Sequence, residues 1–279
     1  MTLIKKMLAM KDPRDYQLMV LISMLLYGLI WLKFDLNILW LGCILLTAFL
    51  AQVVATRLWK LPRFEWRSAM ISGLSLCILM RCPSLPLSLA LATAAILSKF
   101  IFRWNDKHIF NPTNFALALG ILATNQVSIS PGQWNNGVFL AFFILCMGIF
   151  VSNKACRNDV SLAFLLTYAA GLFAYTFWIE DSFSTPVKRL QTASLLIFTF
   201  FMISDPRSTP NSKWGRIIFG STTALAGLYM QLAHGYAPGL IVSLVFVSLT
   251  TPLLDRLLPG ERFYWNKQVE PNRTSSETV

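Results

Sequence analysis

Two short polar stretches interrupt an otherwise apolar chain, and they hold most of the residue types able to do chemistry. The first is Lys107-His108-Ile109-Phe110-Asn111-Pro112-Thr113-Asn114-Phe115. Pro112 suits the first position of a helix, where a missing N–H costs nothing, and Asn111 before it is a natural side-chain cap. Thr113 and Asn114 then place polar groups on the first turn. A helix start of this kind can hold an anion, a phosphate or the polar edge of a ring. The plain alternative is a cap that satisfies the helix end and nothing more.

The second stretch is Met202-Ile203-Ser204-Asp205-Pro206-Arg207-Ser208-Thr209-Pro210. A carboxylate at the end of an apolar helix is costly, and it is usually paired or functional. Asp205 can pair with Arg207 nearby, or with Arg81, or act as a proton or cation site. A pair with Arg81 would lock together two segments broken by proline, Cys82-Pro83 and Asp205-Pro206. His234 reads as an interfacial polar residue, and Lys99 as a side chain that snorkels from its helix end. No Gly-rich nucleotide loop, no HExxH and no recognised nucleophile spacing occurs. The five cysteines are odd in number and lack CxxC spacing, which points to neither a disulfide framework nor a metal site.

The elements that position these stretches are set by composition. Of the 279 residues, 55% are hydrophobic and 13% charged, against roughly 25% charged in soluble domains. The formal charge of +11 is not a single patch, so nucleic acid is excluded as a partner; the lipid bilayer is the partner that composition implies. Apolar runs over residues 16–32, 36–56, 85–102, 137–152, 161–178, 217–232 and 239–254 approach the roughly 20 residues that a spanning helix needs. Runs at 68–82, 112–124 and 187–204 are shorter or interrupted. The expected fold is an all-α integral membrane protein with about ten crossings. With the N-terminus inside, all but four of the 24 Lys and Arg fall on the inner side, the four being Lys33, Arg81, Lys188 and Arg189. The tryptophans cluster at the proposed ends, as in an aromatic belt. Residues 1–10 suit a short interfacial helix, and the tail after Trp265 is polar and expected to be disordered.

The two halves also resemble each other. His108-Ile-Phe-Asn-Pro112 recurs as His234-Gly-Tyr-Ala-Pro238, and Cys82-Pro83 recurs as Asp205-Pro206 at nearly the same offset. The division that follows is a cytoplasmic segment 1–15, a five-helix unit 16–124, a second unit 137–257 and a cytoplasmic tail 258–279. An odd number of crossings per unit inverts the second relative to the first, and inverted repeats build their sites at broken helices near the midplane. Proline leaves backbone groups unpaired there, to be satisfied by neighbours, water or a ligand.

At these residues a family resemblance emerges. HIFNPTNFALAL resembles the "HxFNP" segment of the membrane subunit shared by the sodium-pumping NADH:quinone oxidoreductase and the Rnf electron-transport complex, the NqrB/RnfD family. FFMISDPRSTPNSKWGRIIFG resembles its "F(M/I)ATDPVT(S/T)P" stretch, and GYAPGLIVSLVFVSLTTPLLDRL resembles its last helix. Three motifs in order cover roughly residues 68–257. The resemblance implies inverted five-helix repeats, flavin-based electron transfer coupled to ion movement, and other membrane redox subunits in a hetero-oligomeric complex of the bacterial inner membrane. In that family an FMN is attached through its phosphate to a threonine in an S/G-A-T motif, and riboflavin binds separately. That motif is missing here. Thr185, in Ser182-Phe-Ser-Thr-Pro186, is the nearest candidate and lacks the small residue pair before it. The resemblance is therefore to a divergent, UnbU-like branch that lacks the flavin attachment motif.

Three functions follow. A redox subunit would hold flavin or quinone non-covalently, using His108, Asn111, Thr113, Asn114, Ser204, Asp205, Arg207 and Thr209. A transporter for a small solute or cation would use Asn111, Asn114, Arg81 and Asp205 as pathway residues. A scaffold would use no site of its own.

Overall fold

The computed structural model describes residues 12–33, 37–129 and 138–263, so the interfacial reading of residues 1–10 and the polar tail after Trp265 fall outside it. Helices α1 (Pro13–Ile30), α2 (Ile38–Leu58), α3 (Trp66–Leu79), α4 (Leu85–Ile101) and α5 (Pro112–Thr124) form the first half. The second holds α6 (Val138–Lys154), α7 (Asn158–Trp178), α8 (Ser184–Leu190), α9 (Ala193–Ile197), a π-helical turn (Phe198–Met202), α10 (Lys213–Ala233), α11 (Gly239–Ser248) and α12 (Thr251–Leu257). Side-chain caps open several of them. Asp12 accepts from Arg14 N at 3.0 Å, Ser84 accepts from Leu87 N at 3.4 Å, and Ser212 accepts from Gly215 N at 3.0 Å.

Among the described residues, two helices, α2 and α7, are each 21 residues long and apolar enough to cross a membrane. A third span arises if α11 and α12, bent by 47° at their junction, count as one. The expected runs at 68–82 and 112–124 are short helices. α3 has 14 residues and α5 has 13, which rise only ~20 Å against a hydrocarbon core of ~30 Å. Both stop where the chain beyond them pairs: β1 (Met80–Arg81) runs antiparallel to β4 (Ser128–Ile129). That ladder supplies partners to backbone groups which lipid would leave unsatisfied.

A second ladder joins β2 (Arg103–Trp104) to β3 (Lys107–His108). Its two-residue turn places Asn105 and Asp106 at φ 47° and 59°, the left-handed pair that a type I′ hairpin requires. This hairpin returns the chain from the end of α4 to the start of α5. The expected span at 187–204 is broken into α8, α9 and the π-helical turn, all five residues of which are buried. Such turns widen the helix, leave carbonyls displaced and concentrate at functional sites.

Three helix pairings correspond between the halves. In the first, α2 lies on α4, α4 on α5, and α1 on α3; in the second, α7 lies on α10, α10 on α11, and α6 on α9 and the π-helical turn. The halves meet where α5 touches α11 and where α1 touches α6. Small residues set the closest approaches: a Cβ on Gly220 of α10 would sit 2.7 Å from Val160 O of α7. Phe164, Phe219, Met24, Leu76 and Ile197 fill the interior, while Leu39, Leu46, Leu166, Phe177 and Leu225 face outward. An outward apolar surface this extensive suits lipid rather than water. Trp31 and Trp59 cap the ends of α1 and α2, Trp66 opens α3 and Trp178 closes α7, as the belt pattern requires.

Candidate functional site

The start of α5 is built as the sequence implies. Asn111 Oδ1 accepts from Asn114 N at 3.0 Å, with Pro112 at the first helical position. The other polar atoms reach three different elements. Asn111 Nδ2 donates to Met202 O at the end of the π-helical turn, 3.2 Å away. Asn114 Nδ2 donates to Ile241 O of α11 at 2.9 Å, and Thr113 Oγ1 lies 3.5 Å from Ser72 O of α3. Of these three carbonyls, Met202 O is the one at a helix end, where the last carbonyls lack intrahelical partners.

Asp205 pairs with His108, not with Arg81. His108 Nε2 lies 3.1 Å from Asp205 Oδ2, and Asp205 Oδ1 accepts from Arg207 N at 3.1 Å. The expected lock between the two proline-broken segments is not formed. Arg81 instead donates to Met80 O at 2.9 Å and lines a separate cavity with Trp40, Cys77 and Cys82. It lies at the opposite end of α3 from Ser68, and the β1–β4 ladder holds it there. Burial pushes the His108 imidazole below its usual range, more than Asp205 raises it. Burial pushes the Asp205 carboxyl up, but the contacts with His108 and Arg207 more than offset this and hold it below the usual carboxylate range. The pair is therefore a neutral imidazole donating Nε2–H to a carboxylate.

Around this pair a network ties the halves at one end of the bundle. Arg207 donates to Asp106 O at 3.0 Å in the β2–β3 turn. Lys107 Nζ meets Asp255 Oδ2 of α12 at 2.7 Å and Asn211 Oδ1 at 3.2 Å. Arg157 Nε donates to Thr209 Oγ1 at 2.9 Å. Thr209 Oγ1 in turn donates to Asp205 O at 3.0 Å, within the loop itself.

Beneath the network lies a cavity. His108, Asn111, Thr113, Ser204, Asp205 and Arg207 line it, whereas Asn114 and Thr209 are not among its lining residues. Thr185, the candidate for covalent flavin, sits on the short α8 and does not line it either. Sequence reasoning missed the deeper wall. Ser68, Ser72 and Ser75 form one face of α3 at helical spacing, Gln52 comes from α2, and Lys99 comes from α4. The serine spacing and a lone amide within an apolar run were the available signals. Lys99 does not snorkel outward: it is 8% exposed, and its Nζ donates to Ser68 Oγ at 3.2 Å. Gln52 Oε1 is buried without a hydrogen-bond partner. Phe100, Phe200 and Phe201 supply aromatic wall. An acceptor, several donors and flat apolar faces thus line one cavity. No cluster of three metal-ligating side chains occurs among the described residues.

Comparison with known proteins places residues 123–263 on the model of the NQR2, RnfD, RnfE family. The matched region holds the Asp205 loop but not the HIFNP segment, so the family match is narrower than the 68–257 expected from motifs. Curated relatives include the D subunit of the ion-translocating oxidoreductase complex of Escherichia coli O7:K1 (strain IAI39 / ExPEC), 32% identical over 128 residues, or 44% of this chain and 34% of the relative. The protein of the same description from Klebsiella pneumoniae (strain 342) is 33% identical over 129 residues, with the same coverage of each chain. The alignments thus span about a third of the relatives' length. With half of its length on the family model, its apolar spans and its proline-broken segments in place, this chain belongs to the NQR2, RnfD, RnfE family.

Proposed function

We propose that this chain is a membrane subunit of an ion-translocating oxidoreductase complex, similar in role to these relatives, and that it holds a flavin non-covalently between its two halves. In this reading two inverted five-helix units cross the bacterial inner membrane about ten times, with both termini cytoplasmic. The three corresponding pairings and the meeting of the halves at α5 and α11 support that arrangement. Other membrane redox subunits are the partners.

The observation that carries the flavin reading is the cavity at the junction of the halves. It is closed at one end by His108–Asp205 and by Asn111 on Met202 O, and is walled by Phe100, Phe200 and Phe201. A bound flavin would supply one- and two-electron redox chemistry. The chain's own residues orient and shield it. The phenylalanines exclude water from ring faces, the serines of α3 and Gln52 meet polar edges, and the two cross-half contacts hold the walls at fixed separation. Ion movement coupled to electron transfer is the family-level part of the proposal. A cation path through this cavity has less support, because its deepest charged group is the Lys99 ammonium.

The test is direct. Full-length protein purified in mild detergent should show flavin absorbance, and denaturation should release the flavin free of peptide. Thr185→Ala should leave the flavin content unchanged. Colourless protein that yields no flavin, and takes none up on addition, would refute the reading.

A further inference from the structure

Lys99 is a charge in the cavity to which the flavin reading gives no role. Among the described residues, Nζ makes one hydrogen bond, to the Ser68 hydroxyl, and no ion pair. The acidic groups on the same wall bond elsewhere, Glu65 to Arg14 and Asp205 to His108 and Arg207 N, and neither forms an ion pair with Lys99. A buried lysine with no ion pair is costly to keep charged unless an anion joins it.

Two further groups in the same cavity are open. Gln52 is 3% exposed, its Oε1 has no partner, and its Nε2 reaches Thr56 Oγ1 only at 3.5 Å. At the start of α5, Pro112 has no N–H, while those of Asn114 and Phe115 are taken by Asn111. The Thr113 N–H is left as the donor without a described partner, at the positive end of the helix dipole. A lysine, a helix N-terminus and an unsatisfied acceptor line one cavity. Water would answer Gln52 but not the charge of Lys99. Chloride, a carboxylate or sulfate would answer the charge but offers no hydrogen to Gln52.

We propose that this cavity binds a phosphate-class oxyanion that retains one acidic hydrogen. Lys99 is the counter-charge, Ser68 and Thr113 N–H are donors to the oxygens, and Gln52 Oε1 receives the ligand's O–H. The proposal does not rest on the flavin reading. The same chemistry comes from free inorganic phosphate or from the phosphate ester of a nucleotide such as FMN.

The test uses full-length protein in phosphate-free detergent buffer, titrated by calorimetry with inorganic phosphate, sulfate, FMN and riboflavin. Phosphate or FMN should bind, with sulfate at least about tenfold weaker than phosphate, as expected for one lost charged hydrogen bond. Lys99→Met should abolish binding and Lys99→Arg should retain it. Gln52→Leu should weaken phosphate toward the level of sulfate. FMN that competes with phosphate, when riboflavin does not, identifies the ester as the source; phosphate binding without FMN binding identifies the free ion. If Lys99→Met fails to insert, Gln52→Leu carries the test alone. Absence of phosphate and FMN binding, or binding unchanged in correctly inserted variants, would overturn the proposal. Riboflavin binding as tightly as FMN, with no competition from phosphate, would overturn it while leaving the flavin reading intact.

Discussion

Replacing Asp205 by alanine probes the contact that joins the two halves. The carboxylate accepts from His108 Nε2 and from Arg207 N, and its side chain is 16% exposed against 9% for that of His108. Removing it leaves a buried imidazole and a backbone N–H without an acceptor. Losing two hydrogen bonds to a carboxylate, at roughly 1.5–3 kcal/mol each, costs about 3–6 kcal/mol. At about 2 °C per kcal/mol for a chain of this size, melting should fall by roughly 6–12 °C. Tryptophan fluorescence and size-exclusion recovery after heating, in one detergent at one scan rate, would measure it. A double-mutant cycle completes the assay. Asp205→Ala with His108→Ala should couple by at least about 1 kcal/mol, whereas Asp205→Ala with Arg81→Ala should be additive. Melting of Asp205→Ala within about 1 °C of wild type, or coupling to Arg81 instead of His108, would refute the contact.

Acidification should weaken the protein through the same pair. His108 has a lowered value in the folded state, so the unfolded chain binds its proton first. Its contribution is complete above the unfolded value of about 6.5 and is lost as pH falls toward the lower folded value. Asp205, also lowered, adds a loss of the same sign below about 4. Melting should therefore decline between pH 7 and 5, and His108→Gln should flatten that slope. Gly220→Val should destabilise by about 1–3 kcal/mol or more, because a Cβ there meets Val160 O at 2.7 Å; a melting temperature equal to wild type would show that α7 and α10 can separate without cost.

Features that depend on neighbours along the chain and on solvent were legible in the residues themselves. Apolar runs and tryptophans at their ends marked the helices and their surroundings, since lipid demands that composition of any segment it surrounds. Asn111 and Pro112 marked the start of α5, since capping is set within a single turn. Helix lengths were less legible: the run at 68–82 ends early because Met80–Arg81 pairs with Ser128–Ile129, a contact that no local pattern announces. Which distant groups meet was fixed by the packing of the helices. That packing gave Asp205 to His108 rather than Arg81, turned Lys99 inward onto Ser68, opened the π-helical turn beside Asn111, and set Gln52 on a cavity wall. The cost of a buried charge depends on its partners in three dimensions, and residues far apart in the chain become partners only when the helices that carry them pack.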